Sequence, residues 1–165
     1  MMAVRHVRGS LLKIPRLLGR RWRLTVVLGG LASVLASQSR AQAPVGRYEV
    51  SAGLVTDTQT GLVWQQTDTG STYTFAAAHQ YCADLGGEWR VPSVKELLTL
   101  VDESRANPAV DSAVFTSIPS GGNLVSCYQT STPLAGTGIS WLVCFDAGRP
   151  TYDSATNAYR VLCVR

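Results

Sequence analysis

From Arg47 onward the apolar residues keep two rhythms, one recurring every second residue and one every third or fourth, and the changes between them mark out the elements. Tyr48, Val50, Ala52 and Leu54 alternate with other residues, which predicts a strand over Arg47–Thr56. Asp57-Thr58-Gln59-Thr60-Gly61 reads as a turn, because an Asp side chain can cap its own turn and Gly supplies a positive φ. Leu62–Gln65 then returns as the hairpin partner, and the polar residues 67–73 form a loop. The rhythm changes at Thr74, a good N-cap, after which Phe75, Ala78, Cys82 and Leu85 fall at helical spacing with Tyr81 alongside. Gly86-Gly87 ends that helix.

Trp89-Arg90-Val91-Pro92 is extended, since Pro92 biases Val91 away from the α region. Ser93-Val94-Lys95-Glu96 has the form of a capping box, and Val94, Leu97, Leu98 and Val101 make the apolar stripe of a second helix. The N3 position accounts for Glu96 structurally and leaves no reason to assign it a catalytic role. Residues 103–123 lack periodicity, with Val114 and Phe115 as a hydrophobic plug. The remainder reads as strands over Leu124–Thr130, Ile139–Asp146 and Tyr159–Val164, separated by polar loops 131–138 and 146–158. The expectation is an α+β domain of two helices packed on short antiparallel sheets, without an internal repeat or a glycine-rich phosphate loop.

Charge is distributed unevenly. Residues 1–43 hold Arg5, Arg8, Lys13, Arg16, Arg20, Arg21, Arg23 and Arg40 and no acid, followed within them by an uncharged apolar run from Leu24 to Ala36. That run has 13 residues, against the roughly 20 a membrane-spanning helix needs. A basic stretch, a short apolar stretch and small residues beyond it predict a secretory signal with a short linker over 1–43, and one domain over 44–165. Cleavage fits after Ala36 or Ala41, and Arg20-Arg21 resembles a twin-arginine signal only weakly. The formal charge of +4 is a property of this segment: beyond it 7 cations face 11 acids, a formal −4. Recognition of nucleic acid needs a basic patch, so it is not expected of the domain.

The four cysteines, Cys82, Cys127, Cys144 and Cys163, stand 45, 17 and 19 residues apart, without the close pairs of a zinc site. An even count in an exported domain favours disulfides, and three pairings are open. The nested one is expected: Cys82–Cys163 would tie the first helix to the last strand, and Cys127–Cys144 would staple two neighbouring strands. His79, three residues before Cys82, invites a nucleophile-and-base reading. A cross-linked sulfur excludes it, and neither a catalytic residue, a metal nor a cofactor is expected.

Three segments in order resemble a known family: Asp57-x-x-Thr60-Gly61-Leu62-Val63-Trp64-Gln65, then Cys82 through Trp89-Arg90-Val91-Pro92-Ser93-Val94-Lys95-Glu96-Leu97-Leu98-Thr99-Leu100-Val101-Asp102, then Cys163-Val164-Arg165. They are similar to the Lcl C-terminal domain family. That resemblance implies a C-type-lectin-like fold, the same nested disulfides, and extracellular adhesion or glycan binding without enzyme activity. Two positions depart from the family: Gln129 replaces an aromatic residue before Thr130-Ser131-Thr132, and Leu162 replaces an arginine before the last cysteine, with Arg160 two residues earlier.

The expected function is an exported, periplasmic or extracellular binding module for a glycan or protein of a cell surface or envelope, with no membrane span left after cleavage. A structural subunit of an envelope assembly is the alternative, and a hydrolase a more remote one. The ligand face is expected on loops 117–138 and 146–158, with Asn123, Tyr128, Gln129, Asp146, Arg149, Tyr152, Asp153 and Asn157 as candidates. Aromatic faces and amide or carboxylate groups suit sugar and protein surfaces, while Trp141 and Tyr159 read as core residues of their strands.

Overall fold

The computed structural model describes residues 45–122 and 124–165. The export signal expected over 1–43 and the candidate Asn123 lie outside the described residues. The elements run β1 (Tyr48–Ser51), β2 (Leu54–Asp57), β3 (Val63–Gln65), α1 (Phe75–Asp84), α2 (Val94–Leu98), β4 (Cys127–Leu134), β5 (Ile139–Cys144) and β6 (Arg149–Ser154). They form two antiparallel three-stranded sheets, ordered β1-β2-β3 and β4-β5-β6. With the two helices this is an α+β fold, as expected.

The first expected strand is in fact a hairpin. Ser51 pairs with Leu54 across Ala52-Gly53, whose φ values of 51° and 79° are both positive. A two-residue hairpin turn of this hand needs that geometry at both central positions, and Gly53 provides it without a steric cost. The alternation of Tyr48, Val50, Ala52 and Leu54 therefore spans two strands. The next turn behaves as read: Asp57 Oδ1 accepts from the Gln59 amide at 3.0 Å, and Gly61 closes it on the Asp57 carbonyl at 2.8 Å.

Both helices begin where the caps place them. Thr74 Oγ1 accepts from the Ala77 amide, and α1 ends ahead of Gly86 and Gly87, both at positive φ. Ser93 and Glu96 form the full reciprocal capping box of α2. That helix is shorter than its stripe suggests. After Leu98 the chain continues through i→i−3 bonds from Leu100 and Val101, which still bury Leu100 in the core. On α1 the buried residues are Ala78 and Cys82, while Leu85 is exposed at the C-cap.

The C-terminal tail is central. Tyr159–Val164 does not form the continuous strand its alternation suggests. Its residues bridge to four different segments: Tyr159 to Tyr73, Arg160 to Tyr128, and Val164 to both Trp64 and Arg90. The alternation still assigns faces. Leu162 and Val164 enter the main core with Val55, Trp64, Leu97, Phe115, Tyr128, Val143 and Phe145. Val161 and Cys163 face Ala78, Cys82 and Val91 on the α1 side. Each such side chain contributes about 1.5–3 kcal/mol by leaving water.

Both nested disulfides are present, Cys82–Cys163 and Cys127–Cys144, and no described cysteine is free. The first joins α1 to the tail, and the second joins directly opposed residues of β4 and β5. Two such bonds point to a non-reducing, exported environment. Among the described residues no helix is long and apolar enough to cross a membrane.

The largest correction to the sequence reading concerns residues 146–158. Arg149–Ser154 is strand β6, paired with β5 from Cys144↔Arg149 to Ile139↔Ser154, so its side chains have fixed faces. Gly148 makes the connecting turn, with φ +64° and a position where a Cβ would stand 2.5 Å from Val101 Cγ1. Only glycine permits both the turn and this approach to the end of α2. Loop 131–138 is likewise half strand, since β4 runs on to Leu134 past an irregularity between Gln129 and Pro133.

Candidate functional site

The register of β5 and β6 sets Trp141 opposite Tyr152. Their rings meet edge to face, with centroids 5.6 Å apart and planes at 78°. Tyr152 is 58% exposed and Trp141 half-buried, so the pair offers an apolar ring surface with a phenol and an indole at its margins. Thr130 Oγ1 donates to the Trp141 carbonyl at 2.7 Å, which fixes the β5 backbone beneath the pair.

Asp153 follows Tyr152 and, by strand alternation, faces the other way. Its carboxylate accepts from the Tyr159 hydroxyl, from Asn157 Nδ2 at 3.0 Å and from the Ser154 amide at 2.7 Å. The Tyr159 hydrogen bond and then the Asn157 one hold its pKa below the usual carboxylate value. Burial, then the Asp153 hydrogen bond, pushes the Tyr159 phenol up to about 12. Asp153 and Asn157 thus act together as an internal clasp between β6 and the tail.

Arg149 and Asp146 flank the β5–β6 turn. Arg149 Nη2 stands 3.8 Å from Asp146 Oδ2, with its side chain 65% exposed, a loose pair worth little in water. Arg149 precedes Tyr152 by three residues, about 10 Å along the strand, and by alternation shares the face of Asp153 rather than that of Tyr152.

Tyr128 and Gln129 are fully buried and present no surface to a ligand. The reason is topological. β4 has β5 on one edge and the tail on the other, where the Gln129 amide donates to the Arg160 carbonyl at 2.8 Å. Both faces of β4 are covered as well: Tyr128 enters the main core, and Gln129 on the other face lies against the Tyr73 and Asn157 backbone. Tyr128 packs on Phe145 and donates to Asp68 Oδ2 at 2.5 Å. Gln129 Nε2 donates to the Tyr73 and Asn157 carbonyls. Burial and the Asp68 carboxylate both raise the Tyr128 pKa.

Of the eight candidates, the strand register therefore brings Tyr152 beside Trp141, which the sequence reading gave to the core. Asp146 and Arg149 sit at the end of the same hairpin. The useful signal was present: an aromatic residue in each of two segments that a tight glycine turn brings into register.

Two further concave places were not anticipated. An apolar cleft of about 280 Å³ lies between Phe75 at the start of α1 and the β4–β5 hairpin residues Pro133, Leu134 and Ile139. Behind it His79 packs on Phe75 with ring centroids 4.6 Å apart. Burial lowers the His79 pKa, and its Nε2 has no hydrogen-bond partner among the described residues. A second pocket of about 280 Å³ is lined by Thr72, Leu124, Val125, Ala158, Tyr159 and Arg160. Among the described residues no group of three or more His, Cys, Asp or Glu side chains is arranged to hold a metal ion.

Comparison with curated proteins gives no significant match. Residues 53–165, more than half of the chain, match the family model of the Lcl C-terminal domain. These residues cover both sheets from the first hairpin turn onward, both helices, both disulfides and the β5–β6 hairpin. The chain therefore belongs to the Lcl C-terminal domain family.

Proposed function

We propose that this chain is an exported, non-catalytic binding module of C-type-lectin-like architecture that recognises a glycan or another ligand of a cell surface or envelope. The observation that carries the reading is the Trp141–Tyr152 pair, which projects aromatic surface from a sheet cross-linked by Cys127–Cys144. Rings held on paired strands lose little entropy on binding, and their faces suit the C–H surfaces of sugars as well as protein surfaces. Asp146 adds a carboxylate at the hairpin end, while Arg149 lies by alternation on the face of β6 opposite Tyr152. Two covalent cross-links supply the rigidity such a module needs outside the cell.

The residues 1–43 act in this reading as the export signal, and the module works in the periplasm or outside the cell. His79 fits a non-catalytic role, because burial disfavours its charged form and its Nε2 has no hydrogen-bond partner among the described residues. An acidic domain without a basic patch is a poor match for nucleic acid.

The test is binding of the purified, oxidised protein to a glycan array and to envelope material, alongside a Tyr152→Ala variant. The expected result is saturable binding that falls at least tenfold in the variant while its unfolding midpoint stays the same. Binding by both proteins with equal affinity would remove the aromatic pair from the site, and absence of binding to every surface would end the proposal.

A further inference from the structure

Asp68 lies in a polar loop, yet its side chain is only 1% exposed. Three separate parts of the chain hold it. The Gly70 amide donates to Oδ1 at 2.8 Å, the Tyr128 hydroxyl to Oδ2 at 2.5 Å, and Arg160 Nη1 reaches both oxygens at 3.2 Å. The Asp68 amide in turn donates to Ser117 Oγ at 2.8 Å. This arrangement does for Arg160 what a supporting carboxylate does for any binding-site cation: it fixes the guanidinium in one orientation. Only Nη1 is spent on Asp68, and no second carboxylate pairs with Arg160 among the described residues.

Arg160 is one wall of the pocket of about 280 Å³ whose other walls include Leu124, Val125 and Ala158. Leu124 and Val125 are 48% and 50% exposed, and Leu124 is held at φ 68°. A left-handed leucine costs about 1–2 kcal/mol, and spending it to keep two apolar side chains in water is unusual unless something covers them. The volume is just below the roughly 300–1,000 Å³ of sites for drug-sized ligands, so it suits a fragment.

We propose that this pocket binds a single carboxylate carrying a short branched apolar group, the carboxylate on the free edge of Arg160 and the apolar group against Leu124 and Val125. A planar carboxylate matches the guanidinium fork. A polyanion does not match, because among the described residues Arg160 is the only cation lining the pocket and Asp68 already neutralises much of its charge. The same chemistry occurs in a free aliphatic acid and at the C-terminus of a peptide ending in leucine or valine. The site uses neither Trp141 nor Tyr152, so its fate is independent of the function proposed above.

The test follows the methyl NMR signals of Leu124 and Val125 in the oxidised protein. The probes are N-acetyl-leucine, N-acetyl-leucinamide, inorganic sulfate and a pentapeptide with a free C-terminal leucine. The expected result is saturable shifts with the acid, at least tenfold weaker with the amide and absent with sulfate. A peptide at least tenfold tighter than N-acetyl-leucine assigns the site to a peptide C-terminus, and equal affinity assigns it to a free acid. Arg160→Gln should abolish the shifts. Because that variant leaves Asp68 buried without its partner, Val125→Asp serves as the second, placing a repelling carboxylate at the rim with Asp68–Arg160 intact. Tyr152→Ala should leave the shifts unchanged. Equal shifts with acid and amide, shifts that survive Val125→Asp, or none with either acid would overturn the proposal.

Discussion

The two sheets have the same number of strands and the same antiparallel order, but they are secured by different physics. The first depends on a buried ion pair and on the tail. Arg47 Nη2 meets Asp57 Oδ2 at 2.6 Å, with side chains 10% and 0% exposed, and also donates to the Thr99 carbonyl. Its β3 edge is sealed by backbone bonds between Val63 and Arg165 and from Gln65 to Cys163. The second sheet is stapled covalently by Cys127–Cys144 and sealed at β4 by Arg160, and its β6 edge carries the exposed aromatic surface. Both sheets feed the main core, Val55 and Trp64 from the first and Tyr128 and Val143 from the second, but a buried ion pair secures the first and a covalent link holds the second, which also presents an aromatic surface to solvent.

The sharpest way to break that comparison is to remove each disulfide in turn. Chain entropy assigns about 4.5 kcal/mol to Cys82–Cys163, which spans 81 residues, and about 3 kcal/mol to Cys127–Cys144, which spans 17. Denaturant unfolding of Cys82→Ala/Cys163→Ala and Cys127→Ala/Cys144→Ala should reproduce that order. An inner bridge that costs as much as the outer would mean that the second sheet needs its staple for native packing as well.

Asp57→Asn should cost about 3 kcal/mol, the lower end of the range for stranding one partner of a buried pair, because the Arg47 guanidinium keeps the Thr99 carbonyl. A loss below about 1 kcal/mol, measured the same way, would mean that the first sheet does not depend on its ion pair. For the second sheet the matching change is Gly148→Ala, which meets both a positive φ and the Val101 side chain. Its cost should exceed about 1 kcal/mol and should disturb the Trp141–Tyr152 register, visible as a change in near-ultraviolet circular dichroism.

The smallest effect is a pH dependence at α2. The Arg90 guanidinium, with the Ser93 amide, holds the Glu96 carboxyl at about 2 against an ordinary 4.5. A carboxyl with a lowered folded-state pKa stabilises the fold above its unfolded value and loses that contribution as pH falls. The difference in melting temperature between the wild type and Glu96→Gln should therefore be full above about pH 4.5 and should close towards pH 2. Arg90 is 48% exposed, so the full difference should be a few degrees at most. A difference that is constant across this window would assign the helix start to Ser93 alone.

Local chemistry in the sequence was enough for both helix starts, the Asp57 turn, the glycine stop after α1 and the plug at Phe115. Each depends on residues within a few positions of one another, so each can be read without knowing what surrounds it. The capping box of α2 is the clearest case, because Ser93 and Glu96 satisfy each other's backbone groups wherever the helix is placed. The nested disulfides were also legible, although Cys163 sits in a bridged tail and not in the strand expected for it.

Tertiary structure decided what depends on distant partners. Strand alternation in Arg47–Thr56 could not reveal the reversal at Ala52-Gly53: the turn pairs Ser51 with Leu54 and Val50 with Val55, so the buried parity changes from one strand to the next, although apolar residues continue at every second position through Leu54. Period-two alternation in Tyr159–Val164 correctly assigned two faces, but the backbone partners of that tail come from four segments far away in sequence. Burial of Tyr128 and Gln129 and exposure of Tyr152 follow from the same cause. A side chain's access to solvent is set by what lies on both edges and both faces of its strand, and those neighbours are supplied by chain closure, which no local pattern records.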